Sequence, residues 1–242
     1  MHRLLVEASA LSEDSPRLPP SAARHLKVLR PKTGEPVELF DGRGRSRVYR
    51  WEGESGLKAV SAASFAERPP PLTLFACVTK GSRWDWTVEK SVELGVTRIV
   101  PVLSARTIVR LPPGERAGKC ARWRRIAEDA ARQSDAKWLP EILEAVDFEA
   151  AAAMAAETTC FTGALTEPPS PPLAAAVAGT PPGNGGYAVF IGPEGDFTSG
   201  ELASLAAVSV PTSFGPSILR AETAAVFAVS VVAALSRAVT AA

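Results

Sequence analysis

Three consecutive prolines, Pro69–Pro71, constrain the fold of this chain more than any other segment. Proline fixes φ and has no backbone N–H, so a run of three can neither continue a helix nor pair inside a central strand. Such a run forms a stiff connector. The sequence therefore predicts two domains, one over residues 1–68 and one over residues 72–242, which suits a chain of 242 residues.

The segment before the prolines has the pattern of a small β domain. Val37–Phe40 and Val48–Trp51 flank Asp41–Gly44, whose glycines can supply the positive φ of a hairpin turn. Leu57–Phe65 is a further extended run. These features predict a small barrel or sandwich.

After the prolines, strands alternate with helices, which predicts an α/β domain with a mainly parallel sheet. Trp84, Val88 and Val92 recur at helical spacing, and Gly95 follows where a helix end is expected. The last helix, near Leu219–Val239, is apolar almost all round and must be buried in its domain or against a second copy. Strands are expected at Leu72–Val78, Arg98–Leu103, Thr158–Leu165, Tyr187–Ile191 and Val208–Phe214.

The net charge of +1 hides an uneven distribution along the chain. Residues 1–68 hold 12 Lys and Arg against 9 Asp and Glu, residues 80–140 hold 13 against 7, and residues 141–242 hold 2 against 10. A basic surface of this kind favours a nucleic-acid partner, although solvated helix faces with local ion pairs give the same count. The candidate RNA-binding residues are Arg24, His25, Lys27, Arg30, Arg122, Arg125 and Arg132.

Two glycine- and proline-containing loops are the strongest candidates for a ligand site. Ile191–Phe197 follows a strand and precedes a capping box, Thr198 to Glu201, and Phe214–Ala224 again leads from a strand into a helix. Ligands of open α/β sheets bind at this edge. A tight turn with a solvated Glu194 would explain the first loop without a ligand, and an ion pair of Arg220 with Glu222 would explain the charges in the second.

Several other chemistries are excluded. His2 and His25 are the only histidines, so the larger domain has no histidine for a catalytic triad or a metal centre, and no metal site is expected. The chain has neither a Walker-type loop nor a Gly-x-Gly-x-x-Gly turn after its first larger-domain strand. Its three distant cysteines suggest buried thiols in a reducing compartment, and no stretch is long enough to span a membrane, so a cytoplasmic location is expected.

The two loops together resemble the signature of the ribosomal RNA small subunit methyltransferase E family, of the SPOUT class. The resemblance extends over most of the chain, through His25–Arg30 with Phe40–Gly42, Lys90–Val96, Trp123–Ser134 and Pro140. It implies an N-terminal PUA-like β-barrel that helps to hold RNA, and a C-terminal SPOUT domain with a trefoil knot. It also implies a homodimer that uses S-adenosylmethionine to methylate N3 of a uridine in 16S ribosomal RNA of the small subunit.

By this resemblance, the cofactor lies among three knot loops, and Arg220 and Glu222 serve catalysis. Two positions depart from the family pattern, since Asp196 stands where a second glycine is usual and Ala136 where arginine is usual. A non-catalytic RNA-binding or ribosome-assembly factor, or a ribose 2′-O-methyltransferase of the same fold, is the alternative. The implied cofactor-binding residues are Thr162, Leu165, Ile191, Gly192, Pro193, Glu194, Gly195, Phe214, Gly215, Ile218 and Leu219.

Overall fold

The chain divides into two compact units. The structure, a computed structural model, describes residues 1–163 and 170–240. One unit comprises Met1–Arg68 with Glu128–Leu139, and the other comprises Pro69–Ala127 with Pro140–Ala242. The sequence pattern did not anticipate that residues 128–139 join the N-terminal unit. Among the described residues, no helix combines the length and apolarity needed to cross a membrane.

The first unit contains a five-stranded mixed sheet. Strand β1 runs parallel to β2, and β3 pairs antiparallel with β2, β4 and β5. The predicted hairpin is confirmed, since Val37 pairs with Tyr49 and the turn glycines Gly42 and Gly44 have φ of 70° and 93°. The elements are β1 (His2–Leu5), α1 (Pro20–Leu29), β2 (Pro36–Phe40), β3 (Arg45–Trp51), β4 (Leu57–Ala59) and β5 (Ser64–Phe65), with short 3-10 helices at Ala8–Ser12 and Gly53–Ser55. Closure of this sheet into a PUA-like barrel stays a prediction.

The second unit is an α/β domain whose strand pairs are all parallel among the described residues, which confirms the predicted sheet type. The strand order is β12-β10-β11-β6-β7-β8, with β9 also beside β7. The trefoil knot stays a prediction. The strands are β6 (Leu72–Cys77), β7 (Arg98–Leu103), β8 (Glu141–Ile142), β9 (Val146–Asp147), β10 (Thr159–Gly163), β11 (Tyr187–Ile191) and β12 (Ser209–Thr212). The helices are α2 (Ser82–Glu93), α3 (Pro113–Gln133), α4 (Phe148–Ala155), α5 (Leu173–Gly179), α6 (Ser199–Ala206) and α7 (Ala221–Thr240).

The helices bury the apolar faces that their periodicity predicts. Trp84, Val88 and Val92 of α2 are buried, and α2 packs against α7. Helix α7 begins at Ala221, two residues later than predicted, and is buried on one face only. Its exposed residues recur at helical spacing, so α7 presents one stripe to solvent. The stripe comprises Thr223, Phe227, Ser230 and Ala234.

A buried group of charges joins the segment 128–139 to the sheet of the first unit. Arg3 is 7% exposed, and its guanidinium donates to the Glu38 carboxylate at 2.7 Å and to the carbonyls of Ala131 and Ala136 at 2.7 and 3.1 Å. Lys137 also donates to Glu38, at 2.6 Å. Buried charges are costly unless they are paired, and here Glu38 accepts hydrogen bonds from both Arg3 and Lys137. We therefore assign this group the role of fixing the end of α3 within the unit.

We predict that Glu38→Gln lowers the free energy of unfolding by about 2 to 3 kcal/mol at pH 7, since it leaves Arg3 and Lys137 short of a buried anion. Burial alone would raise the pKa of Glu38, but hydrogen bonds from Lys137 and Arg3 outweigh it, and the net pKa is lowered. A lowered carboxyl pKa stabilises the fold above the unfolded pKa, and this contribution disappears as pH falls through the folded pKa. Denaturant unfolding should therefore show the difference shrinking below about pH 4.

Glu141→Gln is the matched control, because Glu141 forms an exposed ion pair with Arg98 at 2.8 Å. Exposed pairs contribute about 1 kcal/mol or less, so this variant should unfold almost like the wild type. Equal losses for the two variants would contradict the structural role of Glu38.

Candidate functional site

Three parallel strands bring the two candidate loops to one edge of the sheet. Strand β10 lies between β11 and β12, with Thr162 paired to Phe190 and Gly163 paired to Thr212. Because the strands are parallel, their carboxyl ends all reach the same edge. The loops that follow β11 and β12 are therefore neighbours, although some 20 residues separate them in sequence.

The first loop, Ile191–Phe197, has a shape that its sequence explains. A side chain at Gly192 would have its Cβ 3.0 Å from the Phe197 ring, so this position favours glycine. Asp196 has φ of 58°, in the left-handed region that glycine enters most easily. Aspartate tolerates this region because its short carboxylate bonds locally, and here Oδ1 accepts from the Phe197 N–H at 2.7 Å. The backbone thus accounts both for a glycine at position 196 and for aspartate as its replacement.

The predicted capping box at the start of α6 is confirmed, and it also ties the first loop to another part of the domain. The Thr198 hydroxyl accepts from the Glu201 N–H, and Glu201 Oε2 accepts from the Thr198 N–H at 2.8 Å. The other oxygen, Glu201 Oε1, accepts from the Ala105 N–H at 2.8 Å. The end of the first loop is therefore fixed to the segment that follows β7.

Two arginines that the sequence analysis missed hold the same loop. Arg106 donates to the carbonyls of Gly195 and Phe197 at 2.9 and 3.2 Å, and Arg83 pairs with Glu194 at 3.1 Å. Glu194 is thus ion-paired, which differs from a freely solvated acid. Arg83 and Arg106 follow β6 and β7 within a few residues, and placement at the carboxyl ends of parallel strands is the signal that could have found them.

The second loop, Phe214–Ala224, depends on a close contact between Gly163 and Phe214. A Cβ at Gly163, the last residue of β10, would lie 2.6 Å from the Phe214 ring. Phe214 in turn packs on Phe227 of α7, with ring centroids 5.7 Å apart. Gly215 has φ of 115°, which permits the turn after Phe214. Any larger residue at position 163 would push Phe214 out of this position.

The two loops enclose a cavity of about 360 Å³, within the size range of small-molecule sites. Phe190, Gly163 and Ala224 contribute to its inner wall, and Asp196 also lines it. Ile218 is 84% exposed despite its apolar side chain, so the cavity mouth offers an uncovered apolar surface. The predicted residues that line the cavity are Ile191, Gly192, Pro193, Glu194, Phe214, Gly215, Ile218, Leu219 and Arg220.

Other predicted site residues lie elsewhere or beyond the described residues. Thr162 is buried and its hydroxyl lies 2.7 Å from that of Ser209, so it links β10 to β12 and does not line the cavity. Gly195 is also absent from the lining, and its carbonyl accepts from Arg106. Leu165 lies outside the residues that the structure describes.

The two candidate catalytic residues occupy different surroundings. Arg220 is exposed and lines the cavity, while Glu222, in the first turn of α7, is not among the lining residues. No ion pair joins Arg220 and Glu222 among the described residues. Glu222 Oε2 is buried, and within residues 1–163 and 170–240 it has no hydrogen-bond partner. Such an atom is costly to keep, which makes a functional use of this carboxylate reasonable.

The cysteines have no nucleophilic role in this geometry. Cys77, Cys120 and Cys160 are free and buried. Burial raises the pKa of Cys77 to about 11 and that of Cys160 to about 12, and it also raises the pKa of Cys120. The reactive form of cysteine is the thiolate, so these thiols stay protonated and inert at neutral pH.

Three of the four candidate RNA-binding residues in and directly after α1 carry an unpaired positive charge. Arg24, Lys27 and Arg30 are exposed, and in the described part of the chain none of their side chains forms an ion pair or a hydrogen bond. His25 is partly buried, and burial lowers its pKa, with further lowering by the charges of Arg132 and His2. His25 is therefore neutral at pH 7 and can contribute a hydrogen bond but not a charge.

The arginines of α3 are mostly engaged within the protein. Arg122 pairs with Asp85, and Arg132 pairs with Asp129. Arg124 donates to the Ile142 carbonyl at 3.0 Å, whereas Arg125 is exposed and has no partner among the described side chains. Of the helix arginines predicted to bind RNA, Arg125 is thus the one whose charge remains available.

Comparison with known proteins agrees with this geometry. The model of the RNA methyltransferase domain family matches residues 66–233. A ribosomal RNA small subunit methyltransferase E from Synechocystis is 30% identical over 241 residues, which cover 97% of this chain and 78% of that protein. The corresponding Mycobacterium bovis protein is 30% identical and covers 86% of this chain and 82% of its own length.

Solved structures also resemble this chain over nearly its whole length. A ribosomal RNA small subunit methyltransferase E from Neisseria gonorrhoeae, bound to S-adenosyl methionine, has a TM-score of 0.80 and 28% identity, and covers 97% of this chain and 98% of its own. A methyltransferase from Legionella pneumophila with bound cofactor has a TM-score of 0.81 and 27% identity, with the same coverage. The likeness in sequence and in fold extends over nearly the whole chain, and the chain belongs to the ribosomal RNA small subunit methyltransferase E family.

Proposed function

We propose that this protein transfers a methyl group from S-adenosylmethionine to N3 of a uridine in 16S ribosomal RNA of the small ribosomal subunit. The observation that carries the proposal is the cavity between the two loops at the carboxyl ends of β11 and β12. Its relatives are ribosomal RNA small subunit methyltransferases, and two structural neighbours hold the cofactor. The implied homodimer, barrel and knot belong to the same proposal.

The lining of the cavity suits the cofactor. Ile191, Ile218 and Leu219 offer apolar surface to an adenine ring, and Gly192 and Gly215 let backbone approach closely. Glu194 supplies a carboxylate for a ribose hydroxyl or a positive charge, and Arg83 fixes its position. When bound, S-adenosylmethionine supplies a methyl group on a positively charged sulfur. The protein's part in catalysis is then mainly alignment of the base with that methyl group.

Arg220 and Glu222 are proposed to assist the base. N3 of uridine carries a proton, which must leave as the new N–CH₃ bond forms, and the base must be unpaired to expose N3. Arg220 at the cavity stabilises negative charge that develops on the uracil or holds its phosphate. Glu222, whose buried oxygen has no hydrogen-bond partner among the described residues, accepts the proton.

Asp196, one of the two departures from the family pattern, does not favour the non-catalytic alternative. Asp196 fits the left-handed backbone of the first loop. Ala136 lies in a segment where its carbonyl accepts from Arg3, and the neighbouring Lys137 is paired with Glu38 and Asp135. Lys137 is therefore engaged within the protein and is not the substitute for a missing RNA-binding arginine. We keep Arg24, Lys27, Arg30 and Arg125 as the proposed phosphate contacts.

The direct test uses ribosomal RNA from a strain that lacks the protein. Purified protein and S-adenosylmethionine are added to free 16S RNA and to assembled small subunits, and the digested nucleosides are analysed by mass spectrometry. We expect 3-methyluridine to appear in at least one of the two substrates. A 2′-O-methylated nucleoside would instead support the ribose methyltransferase, and an unchanged profile would support the binding factor.

We predict that Arg220→Ala lowers kcat by about 10²- to 10³-fold, the usual cost of removing one preorganised charge-stabilising group. Its exposed position predicts that the fold and cofactor affinity persist, so KM for S-adenosylmethionine should change little. Steady-state methyl transfer measures both kcat and KM, with Arg110→Ala as the control, because Arg110 is also exposed but does not line the cavity. Full turnover by Arg220→Ala, with RNA and cofactor binding intact, would remove Arg220 from catalysis.

A further inference from the structure

A second cavity, in the N-terminal unit, has no part in the site described above. It measures about 360 Å³ and lies between α1 and the paired strands β3 and β4. Trp51, the last residue of β3, pairs with Leu57, is half-buried and is one of the residues that line the cavity. Leu18 and Leu26 add further apolar surface. The cavity is thus an open, mainly apolar pocket with one aromatic wall.

Two unpaired cations line this pocket. Lys27 and Arg30 line it, and neither side chain has an ion-pair or hydrogen-bond partner within residues 1–163 and 170–240. Other arginines do have an internal partner, as Arg3, Arg47 and Arg116 show. The positive charge at this pocket is therefore left for an anionic partner.

The backbone at Arg30 is a second sign that its side chain is needed. Arg30 ends α1 with φ of 49° and ψ of 52°, a left-handed conformation that glycine adopts without strain. An L-residue other than glycine pays about 1–2 kcal/mol for this conformation, and arginine lacks the short polar side chain that relieves it in asparagine and aspartate. Glycine at this position would not carry that cost.

We propose that this pocket is an accessory RNA site, which takes one unstacked nucleobase against the Trp51 ring while Lys27 and Arg30 contact the flanking phosphates. Single-stranded RNA is commonly held in this way, by an aromatic ring for the base and cations for the backbone. An apolar peptide would fill the pocket without using either cation. The inference rests on the proposed RNA substrate and adds a place on the N-terminal unit where single-stranded RNA is held.

The test compares two RNA probes by fluorescence anisotropy. One is a single-stranded 12-nucleotide RNA of mixed sequence, and the other is an abasic ribose-phosphate chain of the same length and charge. We expect Trp51→Leu to weaken binding of the base-containing RNA about tenfold or more and to leave the abasic chain unaffected. Trp51→Phe, which keeps a ring, should recover affinity to within about threefold of the wild type. Trp86→Leu is the matched control, because Trp86 is 40% exposed and lies outside this pocket.

Arg30→Gly is a second test, because it should raise the stability of the fold and lower the affinity for RNA. Removing the strained backbone should raise the melting temperature by about 2 °C or more, while loss of the cation weakens binding of both probes about threefold. Arg50→Gln removes one charge from the neighbouring strand position, where side chains point to the other face of the sheet, and should weaken binding less. The test with Arg30→Gly does not depend on whether Trp51→Leu folds.

Several results would overturn the inference. Trp51→Leu could bind the base-containing RNA as tightly as the wild type does, or lose affinity equally for both probes. A change of oligomeric state by Trp51→Leu, with RNA binding unchanged, would assign the pocket to a second copy. Methyl transfer is measured in parallel, so a wild-type protein that neither binds nor methylates RNA would refute the proposed function itself.

Discussion

The parallel pairing of β10 between β11 and β12 is the constraint on which the site depends. It places three strand ends at one edge, so the loops after β11 and β12 face each other and enclose a cavity. Side chains then fix the shape of that cavity. Gly163 makes room for Phe214, and Gly192 makes room for Phe197. Arg83, Arg106 and Glu201 hold the first loop from neighbouring strands.

Ion pairing separates structural basic residues from those available to RNA. Arg3 and Lys137 are committed to Glu38, and Arg122 and Arg132 to nearby aspartates. Each such pair removes a cation from the charge that a phosphate would encounter, because the cation is already neutralised within the protein. The cations of α1 have no such partner among the described side chains. The net charge of a segment therefore overstates the positive charge that is available to bind nucleic acid. The ion pairs of the folded state show which cations remain available.

The sequence predicted most of the larger sheet and both loops, because periodicity and glycine positions are local signals. The hairpin around Gly42 and the capping box at Thr198 were predicted for the same reason. Long-range pairings were not predictable in this way. Neither the contact of Arg106 with Gly195 nor the joining of segment 128–139 to the N-terminal sheet leaves a spacing pattern. The family resemblance implied that Thr162 binds the cofactor, but its hydroxyl lies 2.7 Å from that of Ser209.

The central claim is that the edge formed by β10, β11 and β12 binds S-adenosylmethionine. Isothermal titration calorimetry of the wild type, Gly163→Val and Gly118→Ala tests it most directly. Valine at position 163 must displace Phe214, which lines the cavity, whereas a methyl group at Gly118 of α3 meets nothing within 4 Å. We predict that the wild type and Gly118→Ala bind equally and that folded Gly163→Val binds at least about tenfold more weakly, a loss of about 1.4 kcal/mol. Failure of the wild type to bind the cofactor, or equal binding by Gly163→Val, would contradict the account.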